Sequence, residues 1–147
     1  MKKILILGFY GVGKTTYIND HPNAVDITDF KLDPVNCDPD ALKKYWEDEE
    51  HDIVLADPQW TKVFLESGYP FYVVIPRMWR KDEFLNNFLK RWTSGSWKAN
   101  IVKFYRHLDT YWEGWLEFYK NKIPCVQVIE LDTGQWVGDA IDIINKL

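Results

Sequence analysis

At 147 residues the chain is long enough to bury a core and short enough for a single domain. Its 46% hydrophobic and 27% charged residues exclude a disordered or fibrous chain. A formal net charge of −4 argues against gripping a long stretch of nucleic acid by charge alone, although a nucleotide or strand end needs only local charge.

The start, Met1-Lys2-Lys3 and four apolar residues, superficially resembles a signal peptide, but the run is too short before Gly8. No window approaches the length of a membrane span, and a cytoplasmic protein is expected. Lys3–Leu7 reads as a buried first strand, followed by a helix from Gly13 to about Asp20. Ala24–Ile27 is a weak second strand, and Thr28–Asp38 reads as a loop on the sheet rim. Asp38-Pro39 supplies an N-cap and N1 pair for a helix over Pro39–Glu49.

Ile53–Ala56 is the third strand, and Gln59–Ser67 a helix that Gly68 ends. Pro70–Ile75 is the fourth strand. A helix follows with Phe84, Leu85, Phe88, Leu89 and Trp92 on one face. After a break at Thr93–Ser96, a longer helix runs to Lys120, with Ile101, Phe104, Tyr105, Leu108, Tyr111, Trp112, Trp115 and Tyr119 at helical spacing. Val126–Leu131 is the fifth strand and Gln135–Lys146 a closing helix. Short apolar runs alternating with helices predict an α/β domain with a parallel sheet. Cys37 and Cys125 have no metal-ligand or disulfide spacing, and Cys125 reads as a buried thiol.

One motif carries most of the chemistry. Gly8-Phe9-Tyr10-Gly11-Val12-Gly13-Lys14-Thr15 matches G-x-x-x-x-G-K-[ST] between an apolar strand and a helix, where a phosphate-binding loop belongs. Glycines let the backbone wrap closely with N–H groups inward, and the helix N-terminus adds positive potential. Lys14 is expected at the β/γ-phosphates and Thr15 at Mg²⁺. Gly8, Gly11, Val12, Gly13, Lys14, Thr15 and Thr16 are thus the candidate nucleotide-binding residues, with ATP and Mg²⁺ as ligands. A random chain of this length matches the pattern on the order of once in a few hundred. Ile53-Val54-Leu55-Ala56-Asp57 has the form of a second nucleotide-site element, with Asp57 beside Thr15 in the metal shell. The same Asp57-Pro58 also reads as a helix cap.

The four arginines, Arg77, Arg80, Arg91 and Arg106, fall in one stretch of thirty residues while lysines are spread throughout. Guanidinium forks suit phosphate oxygens and the charge of a transferring phosphoryl group. A lid-like segment over about 77–120 is expected, with Arg91 the leading candidate, Arg77 and Arg80 open between facing phosphate and lying on solvated faces (Arg80 and Lys81 paired to Asp82 and Glu83), and Arg106 decorative. On the acceptor side, Asp26, Asp29 and Asp33 follow the second strand, and Asp29 is preferred because Asp26 lies in the strand and Asp33-Pro34 looks like a turn. Trp60 and Trp79 are candidates for stacking on a base or for the core, and His21, His51 and His107 have no metal-ligand spacing.

Taken whole, the chain resembles the small P-loop kinases encoded by bacteriophages, trimmed relatives of the nucleoside monophosphate kinases. The resemblance rests on Gly8–Thr15, on Asp52-Ile53-Val54-Leu55, on Val74-Ile75-Pro76 leading to Lys81-Asp82-Glu83-Phe84 and Arg91, and on Leu108–Trp112, Trp115 and Ile129-Glu130-Leu131. It implies a three-layer P-loop NTPase fold: a five-stranded parallel sheet in the order 2-3-1-4-5, helices on both faces and a helical lid. It further implies transfer of the ATP γ-phosphoryl group to a nucleoside, nucleotide or nucleotide-like hydroxyl, with Arg91 as lid arginine. The chain departs from the family at Asn87, where a further arginine is expected, at Trp92, in place of a glycine, and at Asp29-Phe30-Lys31, in place of Asp-x-Ser. Two rivals stand beside the kinase reading: a kinase acting on a DNA or RNA base or 5′-end hydroxyl, and a nucleotide-binding NTPase switch.

Overall fold

The computed structural model describes residues 3–28, 37–93 and 101–147. Ile4–Gly8 forms β1, buried at every position, as a strand covered on both faces requires. Its last residue turns into the glycine-rich loop, which ends in α1, Lys14–Asp20. Then come β2, Ala24–Asp26, and α2, Pro39–Glu47. The Asp38 carboxylate accepts the Asp40 N–H at 2.9 Å and Pro39 opens the helix. A cap of this kind contributes about 1 kcal/mol.

After β3, Ile53–Ala56, a single turn of 3₁₀ helix at Pro58–Trp60 precedes α3, Thr61–Ser67. The expected helix from Gln59 therefore begins as a tighter turn, because Asp57 already binds the Gln59 N–H. Gly68 ends α3 at φ 75°, a conformation that favours glycine. β4, Tyr72–Pro76, leads through a turn at Met78–Arg80 into α4, Lys81–Thr93. The remaining elements are α5, Ile101–Asn121, β5, Gln127–Leu131, and α6, Val137–Asn145.

All five strands are parallel, in the order β2-β3-β1-β4-β5, with the helices around them. From β1 the chain moves toward β2, and from β4 it moves the other way to β5. The connections leaving the carboxyl ends of these neighbouring strands thus diverge, the arrangement that opens a crevice above an α/β sheet. Core residues of α4 and α5, among them Phe84, Phe88, Leu108, Trp112 and Leu116, are fully buried. Spacing of four along α5 sets that inner stripe, so Leu116 belongs to it and Tyr111, 49% exposed, does not. Cys125 is half-buried rather than buried, since the chain enters β5 only at Gln127 and Val126 stays exposed. Among the described residues no helix is long and apolar enough to cross a membrane.

Candidate functional site

Strand register determines which side chains meet at the carboxyl edge. Leu7 lies beside Ala56, so Asp57 follows next to Gly8, and Asp26 lies beside Leu55 on the far side of β3. Two carboxylates, Asp26 at 6% and Asp57 at 8% exposure, are thereby buried at the rim beneath the glycine-rich loop. Thr28 ties them together: its N–H donates to Asp26 Oδ1 at 2.9 Å and its hydroxyl accepts the Asp57 N–H at 2.9 Å. Asp57 Oδ1 accepts the Gln59 N–H at 2.9 Å, so this carboxylate caps the following turn while facing the loop.

Gly11 and Gly13 adopt φ of 80° and 93°, reversing the chain twice within three residues. Gly13 is also the N-cap of α1, and no side chain caps that helix. Lys14 bends back over the turn, donating from Nζ to the Gly8 and Phe9 carbonyls, each at 2.9 Å. Its stem lies against Gly8, where an added Cβ would sit 3.3 Å from Lys14 Cδ. Thr15 and Thr16 on the next turn are exposed. The loop is held from both flanks. Phe9 N–H donates to Val74 O at 2.9 Å, and Val137 N–H to Val12 O at 2.8 Å.

Burial pushes the Lys14 ammonium below the usual lysine value; the Asp26 and Asp57 carboxylates oppose that, and the Arg91 guanidinium adds to it. Burial pushes the Asp57 carboxyl up, against Lys14 and the Gln59 N–H, and Asp26 raises it further. Lys14, Asp57 and Arg91, separated by up to 77 positions in sequence, therefore share one electrostatic neighbourhood. Arg91 is half-buried on the last turn of α4, its guanidinium 5.8 Å from the Phe88 ring centre.

The other arginines are engaged elsewhere. Arg77 pairs with Glu130 and, at 2.9 Å, with Asp132. Arg80 is 2% exposed and bound to Glu83, Leu131 O and Gln135 O, so it faces the interior. Both arginines are held by protein acceptors rather than turned toward the loop. Arg106 is exposed on α5, as expected. Trp60 is core, whereas Trp79 is 68% exposed with Arg77 over its ring. Asp29 and Asp33 lie outside the described residues.

Several neighbours were not singled out by the sequence. Tyr10, in a variable position of the motif, has its phenol pushed up by burial, with Asp57, Tyr119 and Cys37 adding. Tyr119 hydrogen-bonds Thr61 Oγ1 at 3.1 Å and also feels Asp57. With Phe104 and Trp115, whose rings lie 4.9 and 6.1 Å from that of Tyr10, they form an aromatic wall beside Asp57. Position within the motif was the only available sign for Tyr10. Tyr119 was indistinguishable from the core stripe of α5.

Two carboxylates and an exposed threonine beside a lysine suit a hard cation. Among the described residues no group of three or more His, Cys, Asp or Glu is placed to enclose a metal. A hard divalent cation at such a set would draw most of its ligands from water or from the oxygens of a bound anion rather than from the protein.

No family model matches the chain, and no curated protein matches it. Among solved structures it is similar to an uncharacterized protein from Eubacterium ventriosum ATCC 27560, at 13% identity and a TM-score of 0.50. That likeness covers 99% of this chain and 97% of the other, and concerns the fold alone.

Proposed function

We propose that the chain is an ATP- and Mg²⁺-dependent phosphotransferase with a three-layer P-loop fold, acting in the cytoplasm on a nucleoside, nucleotide or nucleotide-like hydroxyl. The observation that carries this reading is the position of Lys14. It is the lysine of a G-x-x-x-x-G-K-T run, opening α1 after β1, and shares its surroundings with Asp57 and Arg91. Backbone N–H groups of Gly11–Thr16 cradle the β- and γ-phosphates, and the Lys14 ammonium leaves the Gly8 and Phe9 carbonyls to meet them. Mg²⁺, when bound, neutralises charge on the β- and γ-oxygens. Thr15 and Asp57 would help hold it, and Arg91 would stabilise the charge spread over the transferring group. Asp29 is the proposed acceptor-side carboxylate, receiving the proton of the attacking hydroxyl. The aromatic wall of Tyr10, Phe104 and Trp115 supports a flat acceptor.

The test is incubation with γ-labelled ATP and a panel of nucleosides, nucleotides and oligonucleotides. Label on a small acceptor is the expected result. Label appearing only as free phosphate would favour an NTPase switch, and label on oligonucleotides alone would move the acceptor to a polynucleotide.

A further inference from the structure

Arg80 was a candidate phosphate ligand, yet it is among the most completely buried side chains of the domain, at 2% exposure. A buried guanidinium is costly unless its donors are satisfied, and here they are. Nε and Nη2 reach the two oxygens of Glu83 at 2.9 Å each, a forked pair from one turn of α4. Nη1 donates to Gln135 O at 2.9 Å and to Leu131 O at 3.4 Å, which ties α4 to the connection between β5 and α6.

The face of the guanidinium has a second role. Its carbon lies 5.0 Å from the Phe84 ring centre and 4.8 Å from that of Trp136, and those rings are stacked 5.8 Å apart. Phe84, together with Phe88, walls Gly11, and the Trp136 side chain walls Gly13, the two left-handed glycines of the loop. A Cβ on Gly11 would lie 3.4 Å from Phe84 Cδ2, and one on Gly13 3.5 Å from Trp136 Cβ. The residue after Trp136 donates its N–H to Val12 O at 2.8 Å. Arg80 thus meets the supports on both sides of Val12, while its hydrogen bonds go to Glu83, Leu131 and Gln135, outside the loop.

We infer that the Arg80–Glu83 pair is a positioning device for the glycine-rich loop: through Phe84 and Trp136 it holds Gly11 and Gly13 in the conformation that orients their N–H groups. The inference deepens the phosphotransferase reading and rests on it only for the nucleotide arm of its test. Lysine does not substitute, because a point charge cannot hold a forked carboxylate, two carbonyls and two ring faces together.

The experiment compares the wild-type chain with Arg80→Met, Arg80→Lys and Glu83→Gln. Amide hydrogen exchange is followed at Val137, whose N–H bonds to the loop, and at Ile27, whose N–H bonds to Leu55 O in the sheet. Mg-ATP affinity is measured alongside. In both Arg80 variants the Val137 rate should rise about tenfold relative to Ile27, with a smaller rise in Glu83→Gln. Mg-ATP affinity should weaken about tenfold in Arg80→Met, and Arg80→Lys should not restore it. An unchanged Val137-to-Ile27 ratio, or a rise shared equally by both amides, would overturn the inference by reducing Arg80 to a general stability element. A rise at Val137 in a protein whose wild type binds no Mg-ATP keeps the positioning device and removes the nucleotide reading instead.

Discussion

The Lys14 ammonium lies 2.9 Å from the Gly8 carbonyl oxygen, so the lysine near the end of the glycine-rich run is folded onto the residue that opens it. This bond and its partner to Phe9 O hold a cation at the mouth of the loop in a site where burial penalises charge. An incoming phosphate would exchange two neutral acceptors for anionic ones, a gain in bond strength with little movement of the stem.

Lys14→Met should therefore lower Mg-ATP affinity by about 100-fold, measured by calorimetry, while the fold persists. The stability effect has a definite sign. Folding lowers the Lys14 pKa below 10.5, so the unfolded chain binds this proton more tightly. The cost of the buried charge is present at neutral pH and is relieved as pH rises toward 10.5. Denaturation across pH should show Lys14→Met gaining on the wild type at pH 7 and losing that advantage in alkali.

Asp57 predicts the opposite pH trend. Burial raises its pKa above 3.8, so its ionisation weakens the folded state as pH rises through that range. Asp57→Asn keeps an oxygen for the Gln59 N–H and removes the charge. At pH 7 the variant should be more stable by about 1 kcal/mol, with the gain vanishing below pH 4. Turnover supported by Mg²⁺ should fall about 100-fold. A less stable variant with unimpaired turnover would make Asp57 a helix cap and nothing more.

What the sequence revealed follows from where the signal was local. β3 lies at Ile53–Ala56 as expected, because an unbroken apolar run between Asp52 and Asp57-Pro58 leaves little freedom in its ends. The motif named Lys14 because chain connectivity alone carries it from β1 into α1. Arg80 and Arg77 were misleading for the converse reason. Glu130 and Asp132, the partners of Arg77, and Gln135, which accepts from Arg80, lie more than fifty residues away, and composition cannot distinguish a guanidinium aimed at phosphate from one aimed at a carbonyl. The pairing of Arg80 with Glu83, three residues on, is by contrast an open reading of the sequence that the structure bears out. Asp26 was passed over because it lies within β2, but as the last residue of that strand, beside Leu55 and one residue short of the end of β3, it still reaches the rim.

Asp48 contributes to the acid limb of stability. Lys3 Nζ binds Asp48 O at 3.0 Å and Oδ1 at 3.1 Å, while His51 Nδ1 lies 2.9 Å from Oδ2, fastening the start of β1 to the turn before β3. Burial pushes the Asp48 carboxyl up, but the His51 and Lys3 hydrogen bonds outweigh it and bring the pKa to about 2. Its contribution is therefore complete above 3.8 and lost as pH falls toward 2. Asp48→Ala should cost about 1 kcal/mol at pH 7, allowing for solvent screening, and much less at about pH 1, below the folded value. Urea denaturation at the two pH values checks this, and an equal loss at both would mean packing rather than charge.

Arg91 separates binding from chemistry. Its guanidinium is half-buried, lies by the Phe88 ring, and acts on Lys14 across the mouth of the site. In the phosphotransferase proposed above, a group there would meet the γ-phosphoryl as its charge spreads toward the acceptor, more than it would meet the ground-state donor. Arg91→Ala should reduce kcat by about 100-fold or more while the Mg-ATP Kd changes by less than about threefold. Arg91→Lys should recover only part of the rate, because one ammonium cannot span two equatorial oxygens as a fork does. Equal losses in kcat and Mg-ATP affinity would assign Arg91 to the donor phosphates. The arginine stretch would then hold ATP in place, and stabilisation of the transferring group would have to come from Lys14 and the loop N–H groups alone.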